Sequence, residues 1–176
     1  LNVANNRLGG GMEARLMRTL RLEKGYTYGA GSFLRSNKFQ TPFYAYSQVR
    51  TNVTLESLEI FRDLITNYSS TYFQEDLNVT KNKLIKSNAL RFETLSSLIN
   101  MLDNISKYNL PTDYISNEQD ILTNMKVEDI QKLASTYLNG QNMIYVVAGD
   151  AKTQLELIKN LGFGEAIILD RDGNRI

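Results

Sequence analysis

The chain has no cysteine and no histidine. The first absence removes disulfides, thiolate zinc sites and a cysteine nucleophile together. It leaves the compartment open, since a cysteine-free protein suits reducing and oxidising surroundings alike. The second absence excludes more. Histidine is the commonest zinc ligand and the usual general base near neutral pH, so hydrolytic chemistry would have to come from carboxylates, lysine, tyrosine or another chain. A block of like charge is also missing: the formal net charge of +1 arises from mixed signs along the chain, which argues against a nucleic-acid partner. No run of 18 apolar residues is present for a membrane span, and the opening residues Leu1–Gly11 lack the basic start and apolar middle of a signal peptide. An initiator methionine is lacking too. That suits a processed chain or a fragment, with the bacterial periplasm or envelope as the expected compartment.

What is present suits one folded unit. With 176 residues, 42% hydrophobic and 22% charged, residues 1–176 read as a single domain able to bury a sizeable core. Val3, Leu8, Met12, Leu16, Met17 and Leu20 recur near helical spacing, interrupted by Gly9, Gly10 and Gly11. Three glycines in a helix cost about 1 kcal/mol each relative to alanine. They predict a turn of helix where another backbone comes too close for a Cβ, the alternative being a plain loop with the helix starting at Met12.

Two aromatic and β-branched runs follow, Gly25–Ser36 and Thr41–Thr51, with turn residues around Ser36–Thr41, and read as an antiparallel pair. Thr54 is expected to cap a helix running to about Tyr72. A longer helical region spans Glu75 to about Asn109, with a break near Ser87–Phe92, a clean apolar stripe at Leu95, Leu98, Ile99, Leu102 and Ile105, and Pro111 closing it. Shorter helices are expected over Thr112–Met125, Lys126–Leu138 and Ala151–Leu161. Asn142–Asp150 reads as a fully buried strand and Glu165–Asp170 as a last short one before the turn Arg171–Asn174. Strands and helices in separate blocks point to an α+β fold: two layers, a mainly antiparallel sheet covered by helices.

Most motif-like features fail on chemistry. The triple glycine has no following GK[ST], and the glycines of Gly29–Gly31 stop short of a dinucleotide fingerprint. Asp170–Asn174 imitates the opening of a calcium loop, but its glycine comes too early and the bidentate acid is absent, so a β-turn is expected. The scattered acids form no catalytic dyad. Glu93 is read as structural, with Arg91 or Lys86 as its partner.

One stretch is specific. "LGGGMEARLMRTLRLEKGYTYGAGS", Leu8–Ser32, resembles the signature of the second half of pitrilysin/insulinase-type zinc peptidases: leucine and glycines, a small-Arg-Leu step, Leu-Arg, a charged pair, a glycine, then a tyrosine seven residues after the arginine. Companions follow in order: "VRTNVT" from Val49, lysines 81–86, "RFE" at Arg91–Glu93, "YNLP" at Tyr108–Pro111, "VVAGD" at Val146–Asp150 and the ending Leu169–Gly173.

The resemblance implies a LuxS/metallohydrolase-like half-domain, lacking its N-terminal strands, that closes clam-like on a similar half. The other half carries the HxxEH zinc motif and a distal glutamate. This chain would bind no metal and hold no catalytic residue of its own. Its partners would be the HxxEH-bearing half, in the same polypeptide or a separate subunit, and a peptide substrate. By residue match Arg21 and Tyr28 would hold that substrate. Tyr26 stands where the family commonly has leucine and is expected to fill the same pocket, although it adds a second tyrosine to the corner. Two other functions remain open: an inactive structural or assembly subunit of the same fold, and a free-standing enzyme using carboxylates, which needs a pocket of convergent acids.

Overall fold

The computed structural model of the chain describes residues 1–35, 38, 39 and 42–176, apart from the side chain of Ala89. The turn expected around Ser36–Thr41 therefore lies largely outside the described residues. Helix α1 (Asn2–Leu8) runs into a break at Gly9–Ala14, followed by a short α2 (Arg15–Met17) and a π-helical stretch, Arg18–Glu23. Strands β1 (Thr27–Leu34) and β2 (Phe43–Val49) pair antiparallel, as the aromatic runs predict. Helices α3 (Thr54–Thr66), α4 (Tyr68–Thr71), α5 (Gln74–Leu90), α6 (Leu95–Tyr108), α7 (Tyr114–Asn124), α8 (Val127–Tyr137) and α9 (Ala151–Ile158) complete the α+β fold.

The core lies between the inner face of the β1–β2 hairpin and the helices. Ala4 and Leu8 of α1, Leu16, Leu20, Phe61 and Ile65 of α3, Tyr68, Tyr72, Leu77 and Ile130 and Ala134 of α8 are all buried in one cluster. Phe43 and Ala45 of β2 and Tyr26 pack against it from the sheet side. Tyr26 thus fills an inner position and leaves the corner to Tyr28.

A carboxylate ties the first and fifth helices together. Asp76 at the start of α5 meets Arg7 Nε at 3.0 Å and Arg15 Nη2 at 2.7 Å, all three side chains being about one-fifth exposed or less. Arg15 also reaches Thr71 Oγ1 and C=O and lies 4.9 Å above the Tyr68 ring. Tyr68 in turn donates to the Ala4 carbonyl at 2.5 Å, and burial pushes its hydroxyl well above the ordinary tyrosine pKa. Burial works against the ionised Asp76, but the Phe73 N–H and the two guanidiniums outweigh it and hold its pKa below the usual carboxylate value.

The glycines interrupt the helix instead of lying within it, yet the close approach they predict is real. A Cβ on Gly9 would overlap the Ser32 side chain and amide and come within 2.8 Å of the Gly31 carbonyl carbon. Across this contact Ser32 N–H bonds the Gly9 carbonyl at 3.0 Å and Asn5 Nδ2 bonds the Ser32 carbonyl at 2.9 Å. Helix α1 is thereby fastened to the middle of β1.

Four expectations are corrected. Thr54 is not a cap: a 3₁₀ turn at Thr51–Val53 feeds directly into α3, and Thr54 Oγ1 bonds back to the Thr51 carbonyl at 2.8 Å. Residues 143–148 are not a buried strand. Met143 and Tyr145 pack inward, but Ile144 and Val146 are 91% and 85% exposed and, among the described residues, no strand pairs with this segment. An all-apolar run needs cover on both faces, and this one has it on one. Residues 165–170 make only the isolated bridge Leu169–Arg175 around a tight turn in which Asp170 Oδ1 accepts the Asp172 and Asn174 amides. Arg91 pairs with Glu118 at 2.9 Å, not with Glu93.

The α6 stripe also departs from the core. Thr94 caps the helix by accepting the Ser97 amide at 3.1 Å, and Asn109 ends it in the left-handed region. Local signals suffice to form α6, while Leu95, Ile99 and Leu102 stay exposed.

Replacing Asp76 tests the tie. Asp76→Asn leaves two mostly buried guanidiniums unpaired and should lower stability by about 2–3 kcal/mol at neutral pH, read by urea denaturation. Because the folded pKa of Asp76 is depressed, its stabilisation is complete above the unfolded value of about 4 and is lost as pH falls through the folded one. The gap between wild type and variant should therefore narrow below about pH 4. Equal stability at pH 7 would show that the pair only balances its desolvation.

Candidate functional site

Leu16 and Leu20, both fully buried, anchor the helix that precedes the corner. Past Met17 the hydrogen bonding widens. Lys24 N–H reaches the Thr19 carbonyl, five residues back, at 3.0 Å, and Tyr26 N–H reaches that of Leu20 at 2.8 Å. Such π-helical turns recur at functional sites. Gly25 then takes φ +64°, the left-handed position that closes a helix and that glycine adopts without strain. The chain enters β1 directly.

Arg21 lies on the π-helical turn and is exposed; its Nη1 sits 4.0 Å from Met12 Sδ. Its neighbour Arg18 pairs with Glu23 at 3.0 Å, which engages the acid closest in sequence to Arg21. Tyr28 lies near the start of β1 and is 94% exposed. Both residues singled out from the sequence are thus solvent-facing on adjoining elements.

A β-bulge decides where Tyr28 points. Thr27 pairs with Val49 and Ala30 with Ser47, so Tyr28 and Gly29 together oppose Gln48. Strand residues alternate faces, and with Ala30 inward an unbroken β1 would turn Tyr28 inward as well. The extra residue shifts the phase by one, and Tyr28 emerges on the outer face. Thr27 Oγ1 accepts the Gly29 amide at 3.0 Å and donates to the Gln48 carbonyl at 2.6 Å, while Ser47 Oγ donates to the Gly29 carbonyl at 2.9 Å. Those hydroxyls satisfy the backbone groups that the bulge disturbs.

That outer face carries more than Tyr28. Phe33 stacks on Tyr44 with ring centroids 5.2 Å apart and meets Tyr46 edge-on at 5.9 Å. Beside them Gly9, Gly10, Gly11, Gly31, Met12 and Tyr46 border a slot of about 350 Å³. The aromatic alternation of both strands was visible in the sequence; that it forms one exposed ring cluster beside the glycines was not, because the register and bulge set it.

The residues do not suit a metal. With neither histidine nor cysteine available, only carboxylates remain, and among the described residues no three acids converge. A larger cavity of about 600 Å³ near α6 and α7, bordered by Asn100, Asn104, Tyr108 and the Arg91–Glu118 pair, gathers no cluster of acids either.

Comparison with known proteins sets this geometry in context. Residues 1–84 match the family described as the peptidase M16 inactive domain. The non-peptidase homologue YmxG of Helicobacter pylori is 24% identical over 148 residues, 82% of this chain and 34% of that protein. The structure of a peptidase M16 inactive domain from Pseudomonas fluorescens superposes with a TM-score of 0.72 at 26% identity, over 79% of this chain and 34% of that one. The inactive peptidase domain of a Bordetella parapertussis protein assigned as a zinc protease gives a TM-score of 0.67 at 16% identity, over 85% and 81% of the two chains. The chain spans about a third of the length of the first two of these proteins.

The corner depends on the Gly9–Ser32 contact, which a methyl group should break. Gly9→Ala should cost about 2–3 kcal/mol because backbone, and not a flexible side-chain tip, must move. Gly29→Ala, where nothing lies within 4 Å, should change stability by no more than about 0.5 kcal/mol. Urea denaturation of both variants measures the difference, and equal stabilities would mean that α1 and β1 can separate freely.

Proposed function

We propose that this chain, whose residues 1–84 match the peptidase M16 inactive domain and whose fold resembles the solved one from Pseudomonas fluorescens, is the substrate-holding half of a zinc-dependent endopeptidase that encloses peptides between two similar halves. The observation that supports this reading is the outward placement of Arg21 and Tyr28 on two rigid, adjoining elements of one corner. Zinc and the ligands that let it activate water belong to the HxxEH-bearing partner half.

The contribution of this chain is electrostatic. A peptide carbonyl under attack gathers negative charge on its oxygen, and a phenol O–H aimed there bonds the transition state more strongly than the ground state. Tyr28, fixed by the bulge, supplies such a donor. The Arg21 guanidinium offers several N–H groups in a planar fork, suited to holding neighbouring substrate carbonyls. Neither residue performs chemistry without the other half.

A second reading has its own support. The relative from Helicobacter pylori is named a non-peptidase homologue, and an inactive subunit that only completes an assembly would carry the same fold. Peptide hydrolysis by this chain combined with the HxxEH-bearing half separates the two. In the substrate-holding reading Tyr28→Phe lowers kcat by about 100-fold, the scale of one lost oxyanion donor, and Arg21→Ala lowers kcat/KM. Both variants keep wild-type thermal stability, since the side chains are exposed. Cleavage indifferent to both substitutions, or no cleavage with an intact partner half, favours the assembly subunit.

A further inference from the structure

Arg21 is held by nothing stronger than a thioether. Arg7, Arg15, Arg18, Arg62 and Arg91 each meet a carboxylate. Among the described residues the Arg21 guanidinium meets none, and its one polar contact is Met12 Sδ, 4.0 Å from Nη1.

Two neighbouring irregularities of the chain bring these groups together. The Gly11 carbonyl accepts the Ala14 amide at 3.1 Å and closes a turn with Met12 and Glu13 at its crest, while Arg21 lies on the π-helical turn that follows α2. The turn carries Met12 outward: it is 57% exposed, whereas Met17, Met101, Met125 and Met143 are half-buried. Of these, Met125 and Met143 pack against the core cluster.

A thioether is a weak acceptor, so this contact leaves the guanidinium free to turn toward a substrate. It is also reactive. With no cysteine in the chain, methionine sulfur is the group that a peroxide oxidises first. The sulfur lone pair attacks one peroxide oxygen, the S–O bond forms as the O–O bond breaks, and the proton of the transferred hydroxyl passes to the departing oxygen. Sulfur is oxidised to the sulfoxide, and the peroxide is reduced to water or, from an organic hydroperoxide, to the alcohol. The oxygen so added is a strongly polarised acceptor. On the Arg21 side of Sδ it spans the gap between 4.0 Å and the length of a charge-assisted hydrogen bond, about 2.8 Å.

We propose that Met12 is an oxidation site whose sulfoxide ties down Arg21. The inference rests on the substrate-holding reading and adds to it control of the same corner by peroxide. In the thioether state Arg21 is available to peptide carbonyls; in the sulfoxide state it must first give up a charge-assisted bond. Tyr28 lies beyond Gly25 on β1 and stays exposed. Oxidation therefore weakens the hold on the peptide and leaves the phenol donor in place. Methionine sulfoxide reductases, which restore the thioether, release Arg21 again.

Limited treatment of the chain with hydrogen peroxide, followed by peptide mapping in the mass spectrometer, tests the site. Met12 should gain its oxygen at least about fivefold faster than any other methionine. NMR of the arginine side-chain N–H groups then reads the tie without any cleavage. The Arg21 signal, identified by its loss in Arg21→Lys, should shift, and its Nη protons should exchange with water at least about fivefold more slowly. Reductase treatment should reverse both changes, and Met12→Leu given the same peroxide should show neither. In the enzyme assembled with the HxxEH-bearing half, oxidation should raise KM by about tenfold with kcat nearly constant, and Met12→Leu should abolish that response. Oxidation of all the methionines at similar rates, or a Met12 sulfoxide that leaves the Arg21 signals unmoved, overturns the proposal, as does an unchanged KM in an enzyme that Arg21→Ala impairs. Failure of the underlying reading is distinct: Arg21→Ala without effect on cleavage removes Arg21 from substrate binding, while the NMR signals still report the Met12–Arg21 bond.

Discussion

The Asp76 carboxylate is the tie on which the remaining geometry depends. It gathers Arg7 from α1, Arg15 from α2 and the start of α5, and through Arg15 it reaches Thr71 and the face of Tyr68. Buried charges are costly unless paired, and here each guanidinium that faces inward has a partner. With the C-terminal end of α1 held through Arg7, that same end delivers Gly9 to Ser32, and β1 takes its place against the helices. The Arg21–Tyr28 corner is then the exposed continuation of a well-anchored segment. A network of polar residues at the base of the fold thus sets the position of side chains that share no contact with it.

Much of this was readable from residue order, and what was not failed for definite reasons. Helices with local signals were legible: α6 begins at the Thr94 cap and ends at Asn109, and α8 follows its early acids. The aromatic runs announced the hairpin. Burial was less legible. The stripe of α6 and the apolar run at 143–148 have the periodicity or composition of core elements, yet their exposed faces depend on what packs beside them, which no local pattern encodes. Thr54 misled because a capping residue type also occurs in the first turn when a 3₁₀ turn leads in.

The site shows the same division. Arg21 and Tyr28 were found through the resemblance, and their spacing of seven residues acquires a cause only in three dimensions. A widened helical turn, one left-handed glycine and one bulge lie between them. Phe33, Tyr44 and Tyr46 were present in the sequence as strand formers; their union into a ring cluster beside four glycines required the register. The reading of Gly9–Gly11 as a place of close approach succeeded because the lack of a Cβ has a direct steric meaning.

The π-helical turn and the bulge are both irregularities of a single residue, one on each side of Gly25. An ordinary α-turn in place of the first would swing Arg21 by roughly 100° about the helix axis. An unbroken ladder in place of the second would send Tyr28 into the core. The corner is therefore specified by arithmetic as much as by chemistry: a position dropped from the π-helical turn would aim Arg21 elsewhere, and one dropped from the bulge would aim Tyr28 elsewhere. Tolerance there should run opposite to the surface norm, with many replacements accepted and any change of length refused.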